Sequence, residues 1–150
     1  MLHPFASCTS FPPCLRLSPN TPHHSISLPT IPCSAPPSPC EQAKTVTVGR
    51  GWFSPWSYGV ESWKPPRVKP GDVLVFRWCM AAHDVWRLKD LASYTNCTFA
   101  TGKRLTPIRT SYRYRYKVPL TAAGTTLFFA CSVPSHCSVF HMKTRIPISP

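Results

Sequence analysis

A thiol and an imidazole stand five residues apart in Leu127-Phe-Phe-Ala-Cys131-Ser-Val-Pro-Ser-His136-Cys137, where a β-rich run ends in a tight loop. Such a loop directs both side chains at one point. A second imidazole, His83, lies in Cys79-Met-Ala-Ala-His83-Asp-Val, just beyond the apolar run VLVFRW at residues 73–78. It sits where a strand leaves its core. One His from one loop, with a Cys and a His from another, make a His₂Cys donor set. A soft thiolate and two borderline imidazoles in a trigonal arrangement suit copper in both oxidation states, above all with a weak axial thioether such as that of Met142. His83, Cys131 and His136 with His141 would also suit tetrahedral zinc.

Other chemistries are poorly supported. No Ser/His/Asp or Cys/His pattern has a credible third partner, and only four acidic residues follow Glu41. His-x-His pairs, which a multicopper oxidase needs in several clusters, do not occur. The expectation is a non-enzymatic protein with one metal ion.

The segments that must position these donors read as short strands. Residues 44–48 alternate polar and apolar side chains, and Pro70-Gly71-Asp72 forms a turn that introduces the buried run 73–78. Residues 84–88, 112–118, 125–131 and 142–148 continue the series, with turns at Gly71, Gly102 and Gly124. A helical period is nowhere sustained over ten residues. Aromatic and β-branched strands of this kind predict an all-β antiparallel sandwich rather than βαβ units. In residues 112–117, Tyr112, Tyr114 and Tyr116 share one face and Arg113, Arg115 and Lys117 the other. That charged face reads as a solvated surface rather than a specific nucleic-acid site.

Residues 1–40 hold ten of the nineteen prolines, ten Ser or Thr, one basic residue and no acid, a composition unsuited to a packed core. They read as a disordered leader or linker before a domain at 41–150. Prolines interrupt every candidate signal-peptide core, and a transit peptide or an artefact of the gene prediction stays open. Nowhere does an apolar run approach the roughly 18 residues of a membrane-spanning helix. Eight cysteines in 150 residues imply an oxidising compartment or a metal. The formal charge of +12 attracts acidic proteins, anionic lipid headgroups or nucleic acid, and by itself does not choose among them.

The motifs Val48-Gly-Arg-Gly-Trp52, Trp63, Lys69-Pro-Gly-Asp-Val-Leu-Val-Phe76, His83-Asp-Val85 and Cys131-Ser-Val-Pro-Ser-His136-Cys137 resemble those of the phytocyanins, plant blue copper proteins of the cupredoxin superfamily. Over residues 44–148 the resemblance implies a cupredoxin-like Greek-key β-sandwich of seven or eight strands. It further implies one copper ion held by His83, Cys131 and His136, a Cys97–Cys137 disulfide, and one-electron transfer with a redox protein or small redox molecule. The axial position departs from the family's pattern. Its register falls on His141, one residue before Met142; a one-residue bulge would bring Met142 over the metal, and His141 is the alternative.

The implied protein is a monomer, secreted or at the cell surface, with the chloroplast as the alternative. A cell-wall or surface interaction module with incidental redox activity, and a zinc domain, are the competing functions. Cys79 is left over and reads as a buried thiol. The five tryptophans read as core and rim packing, and Asn96-Cys97-Thr98 is a sequon that matters only on the secretory route.

Overall fold

In a computed structural model of the protein, residues 42–150 are described. The segment 1–40 expected to be a leader, with Cys8, Cys14, Cys33 and Cys40, lies outside them. Seven strands form two sheets: β1 (Thr45–Thr47), β2 (Val73–Trp78), β3 (Trp86–Leu88), β4 (Lys103–Arg104), β5 (Tyr112–Lys117), β6 (Thr126–Ala130) and β7 (Lys143–Pro147). One sheet has the order β1-β2-β5, the other β4-β3-β6-β7. The all-β sandwich expected from the strand pattern is what the chain forms.

Alternation explains which faces meet. Leu74, Phe76 and Trp78 of β2 are fully buried, and so are Leu127 and Phe129 of β6. Phe76 bridges the sheets, with ring centroids 5.0 Å from both Trp56 and Phe129. Trp56 donates its indole N–H to the carbonyl of Asp84 at 2.9 Å, so its one polar atom is satisfied inside the core.

Three differences from expectation have local causes. β1 pairs with β2 in parallel, whereas the other strand pairs are antiparallel. The 25-residue connection 48–72 carries the chain back to the same end, which no hairpin does. Helix α1 (Leu91–Thr95) escapes periodicity because it is barely more than one turn; Asp90 caps it by accepting from the Ser93 amide at 2.8 Å. β4 is too short to show alternation, and it pairs with β3 from the open edge of the sheet.

Two side chains also depart from the reading above. Trp52 is 81% exposed rather than packed, because the chain turns outward at Gly49 and Gly51. Cys79 is a free, half-buried thiol, not a buried one, since it lies past the end of β2 with its sulfur 3.5 Å from the Phe53 carbonyl.

The turn at Gly49 sets how the 49–63 segment lies against the core. Its φ is +101°, and a Cβ there would fall 1.8 Å from the Pro55 carbonyl oxygen. Gly124 also has positive φ, +69°, but open space around it. Gly49→Ala is therefore expected to cost about 3 kcal/mol or more, strain plus overlap, whereas Gly124→Ala costs about 1–2 kcal/mol from strain alone. Urea unfolding midpoints of the two variants measure the difference.

Candidate metal centre

The donors come from three backbone decisions. After β2 the chain leaves the sheet through Met80 in left-handed conformation (φ 70°), and His83 is then pinned to Arg109 by a pair of 3.0 Å backbone hydrogen bonds. Cys131 directly follows β6, its amide held by the Met142 carbonyl at 3.0 Å. Between them the loop folds on itself: the His136 amide donates to Val133, those of Val139 and Phe140 to Ser135, and that of Met142 to the His136 carbonyl at 2.8 Å. The Cys97–Cys137 disulfide, as the resemblance implied, ties this loop to the end of α1.

These constraints bring His83, Cys131 and His136 together, with one donor atom of each within 4.8 Å of the others. His83 Nδ1 is 3.1 Å and Cys131 Sγ 3.4 Å from His136 Nδ1. A metal about 2.0 Å from each nitrogen and 2.3 Å from sulfur, in one plane, needs donors spaced about 3.5–3.7 Å apart. The two distances to His136 are slightly shorter than that spacing, and the third pair lies within 4.8 Å. All three residues are buried: Cys131 is 0%, His83 2% and His136 8% exposed.

Burial shapes their protonation. Desolvation, helped by the neighbouring His136, lowers His83 to about 4, and desolvation lowers His136 as well. Both rings are thus neutral near pH 7 and offer lone pairs. Desolvation pushes the Cys131 thiol up to about 12, although the amides of Asp84 and Val133 point at the sulfur and oppose the shift. A cation at the centre would reverse this penalty by displacing the thiol proton.

Two residues that carried no role in the sequence hold this geometry. Asp84, fully buried, accepts from the Ser132 amide at 2.7 Å, the Ser132 hydroxyl at 2.6 Å and the Trp86 indole at 2.9 Å, while its own amide lies 3.5 Å from the Cys131 sulfur. It thereby fastens the His83 loop to the Cys131 loop. Tyr58 packs edge-on against both imidazoles, and its hydroxyl lies 3.1 Å from His136 Nε2. With Nε2–H donating to that oxygen, the Nδ1 lone pair faces the cluster. Asp84 was visible only as the residue after a ligand candidate, and nothing in the sequence connects Tyr58 to His136.

The two axial candidates part at His141, whose backbone is left-handed (φ 51°). Its side chain is 60% exposed and places Nδ1 2.9 Å from Glu61 Oε2. Met142 is fully buried, in the same cluster of apolar side chains as Cys131.

The depressed His83 gives the metal-free protein a defined acid response. The folded state resists protonation, so the unfolded chain binds the extra proton first as pH falls below 6.5. Stability is therefore fully present above about 6.5 and declines by roughly 3 kcal/mol as pH approaches 4. Urea unfolding of the metal-free protein between pH 7 and 4 checks this, and His83→Gln should make the decline shallower, leaving the part that the likewise lowered His136 contributes.

Residues 52–141 match the family model of the plastocyanin-like domain. The chain is 34% identical over 99 residues to chemocyanin of the lily Lilium longiflorum, covering 65% of this chain and 72% of that protein. Cucumber basic protein, described as a blue copper protein, superposes with a TM-score of 0.54 at 29% identity, over 69% of this chain and 98% of its own. Spinach plantacyanin gives 0.51 at 25% identity, over 70% and 99%. With its two-sheet sandwich, its Cys97–Cys137 bridge and a buried His83/Cys131/His136 cluster that fits a copper site, the chain belongs to the phytocyanin family of blue copper proteins.

Proposed function

We propose that the domain at 41–150 is a mononuclear copper protein that carries single electrons, with His83, Cys131 and His136 as equatorial ligands and Met142 as the axial one. The observation that carries this reading is the convergence of two neutral imidazoles and one thiol in a buried cluster. A copper ion so held would cycle between Cu(I) and Cu(II), with the thiolate supplying its covalent character.

The chain's own residues serve that role by resisting movement. Asp84 and the disulfide hold the two ligand loops, so that the donors need not rearrange when charge changes. His136 is the most exposed of the three, and Tyr58, Val139 and Phe140 around its loop are 50%, 62% and 44% exposed. That rim is where a redox partner would approach. The +12 charge favours an acidic partner, more strongly at low salt.

Zinc is disfavoured by the donor count. A structural zinc site takes four protein donors, and the cluster offers three from His, Cys, Asp or Glu among the described residues, with His141 turned to Glu61. Met142 suits copper better, as a weak thioether donor. We read the site as that of a carrier rather than an enzyme, because one copper held by three buried donors would move a single electron.

The disulfide argues for an oxidising compartment, and we read the protein as secreted or cell-surface. Among the described residues no helix is long and apolar enough to cross a membrane. Asn96 of the sequon is exposed at the end of α1, where a glycan could be accommodated.

Titration with Cu(II) should develop an intense blue thiolate-to-copper charge-transfer band at one ion per chain, and Cys131→Ser should abolish it. Full copper occupancy without colour would count against a carrier. Met142→Gln should shift the reduction potential more than His141→Gln does in protein-film voltammetry; the opposite order would make His141 the axial ligand.

A further inference from the structure

The sandwich has an open side where two edge strands face each other, β5 of one sheet and β4 of the other. A cleft of about 280 Å³ lies there, lined by Arg87, Lys103, Arg104, Leu105, Tyr114 and Tyr116. Three of these six are cations and none is an acid. Arg87 and Lys103 are direct cross-strand partners, an arrangement of like charges that destabilises a sheet unless something negative lies near.

Arg87 is also incompletely satisfied. Its Nη1 donates to the Tyr116 hydroxyl at 3.2 Å, while its Nε is buried with no hydrogen-bond partner. A buried guanidinium N–H left unpaired is costly, and an anion held by the outer N–H groups of the same guanidinium would offset that cost without touching Nε. Arg104 is committed otherwise, with Nε donating to the Thr106 carbonyl at 3.0 Å and lying 3.6 Å from Asp84 Oδ2. The unneutralised charge therefore belongs to Arg87 and Lys103.

We propose that this cleft binds the carboxylate of a ring-sized ligand, Arg87 and Lys103 holding the charge and the Tyr114, Tyr116 and Leu105 side chains flanking the ring. Size and lining select this class. The cleft has room for about nine waters at ~30 Å³ each, more than an inorganic oxoanion fills. Its remaining wall is two phenol rings and a leucine, which suit a ring and leave a bare oxoanion without contacts. A sugar acid and a phenolic acid share that chemistry. No cleft residue belongs to the His83, Cys131 and His136 cluster, so the proposal stands or falls independently of copper binding.

Amide NMR of the full chain, titrated separately with sodium glucuronate and 4-hydroxybenzoate, tests it. Methyl glucoside and sodium sulfate are the comparisons. Saturable shifts at residues 87, 103–105 and 114–116 with either carboxylate are expected, and whichever binds tighter identifies the source. Arg87→Met should weaken binding about tenfold or more. Lys103→Gln, on an exposed strand and safe for folding, should weaken it severalfold. Arg113→Gln, on the opposite face of β5, should change nothing. The proposal is overturned if sulfate matches both carboxylates, if Arg113→Gln weakens binding as much as Lys103→Gln, or if no titration saturates.

Discussion

Burying two imidazoles and a thiol against one another is unfavourable by itself, and most of the structure near them exists to impose it. Each donor loses hydration, as the lowered histidines and the raised thiol record. Left to relax, the three would separate and seek water. They are prevented because each hangs from backbone already fixed by other interactions: His83 by its bridge to Arg109, Cys131 by the end of β6, and His136 by a loop closed on its own carbonyls.

Asp84 is the joint on which these anchors depend. Its carboxylate takes three hydrogen bonds, two from Ser132 beside Cys131 and one from Trp86 on β3, and its carbonyl takes the Trp56 indole from the core. A single buried side chain thus ties the first ligand loop to the second, while its backbone amide faces the sulfur. The disulfide works on the opposite flank, joining Cys137, next to His136, to the end of α1. Shape is held from both sides, so the donors meet even though 48 residues separate His83 from Cys131.

Strands were legible because burial on one face writes a period of two into the sequence; β2 and β5 fall within the expected runs, and β6 and β7 lie inside theirs. The ligand candidates were legible because a thiol and an imidazole in one short loop are rare. Contacts that rest on convergence of distant segments left no such mark. Tyr58 reaches His136 across 78 residues, and Asp84 meets Ser132 across 48. Neither has a spacing to recognise. The exposure of Trp52 was hidden for another reason: residue type favours burial, but the positive-φ glycines at 49 and 51 turn the chain outward and override it.

The same logic separates the two polar regions of the domain. At the metal end the charges are few and answered: Glu61 meets His141 and Lys143, and Asp84 meets its donors. Along the open side, β4 and β5 bring Lys103, Arg87, Arg113, Arg115 and Lys117 onto edge strands or beside them, and among the described residues Arg104 there lies near a carboxylate, that of Asp84. Lysines and arginines on edges discourage another chain from adding to the sheet, which accounts for those that face water. It does not account for Arg87, which points inward with a buried, unpaired N–H. Its half-buried guanidinium borders the open cleft, where a negative group from solution would answer the charge that Arg87 and Lys103 share.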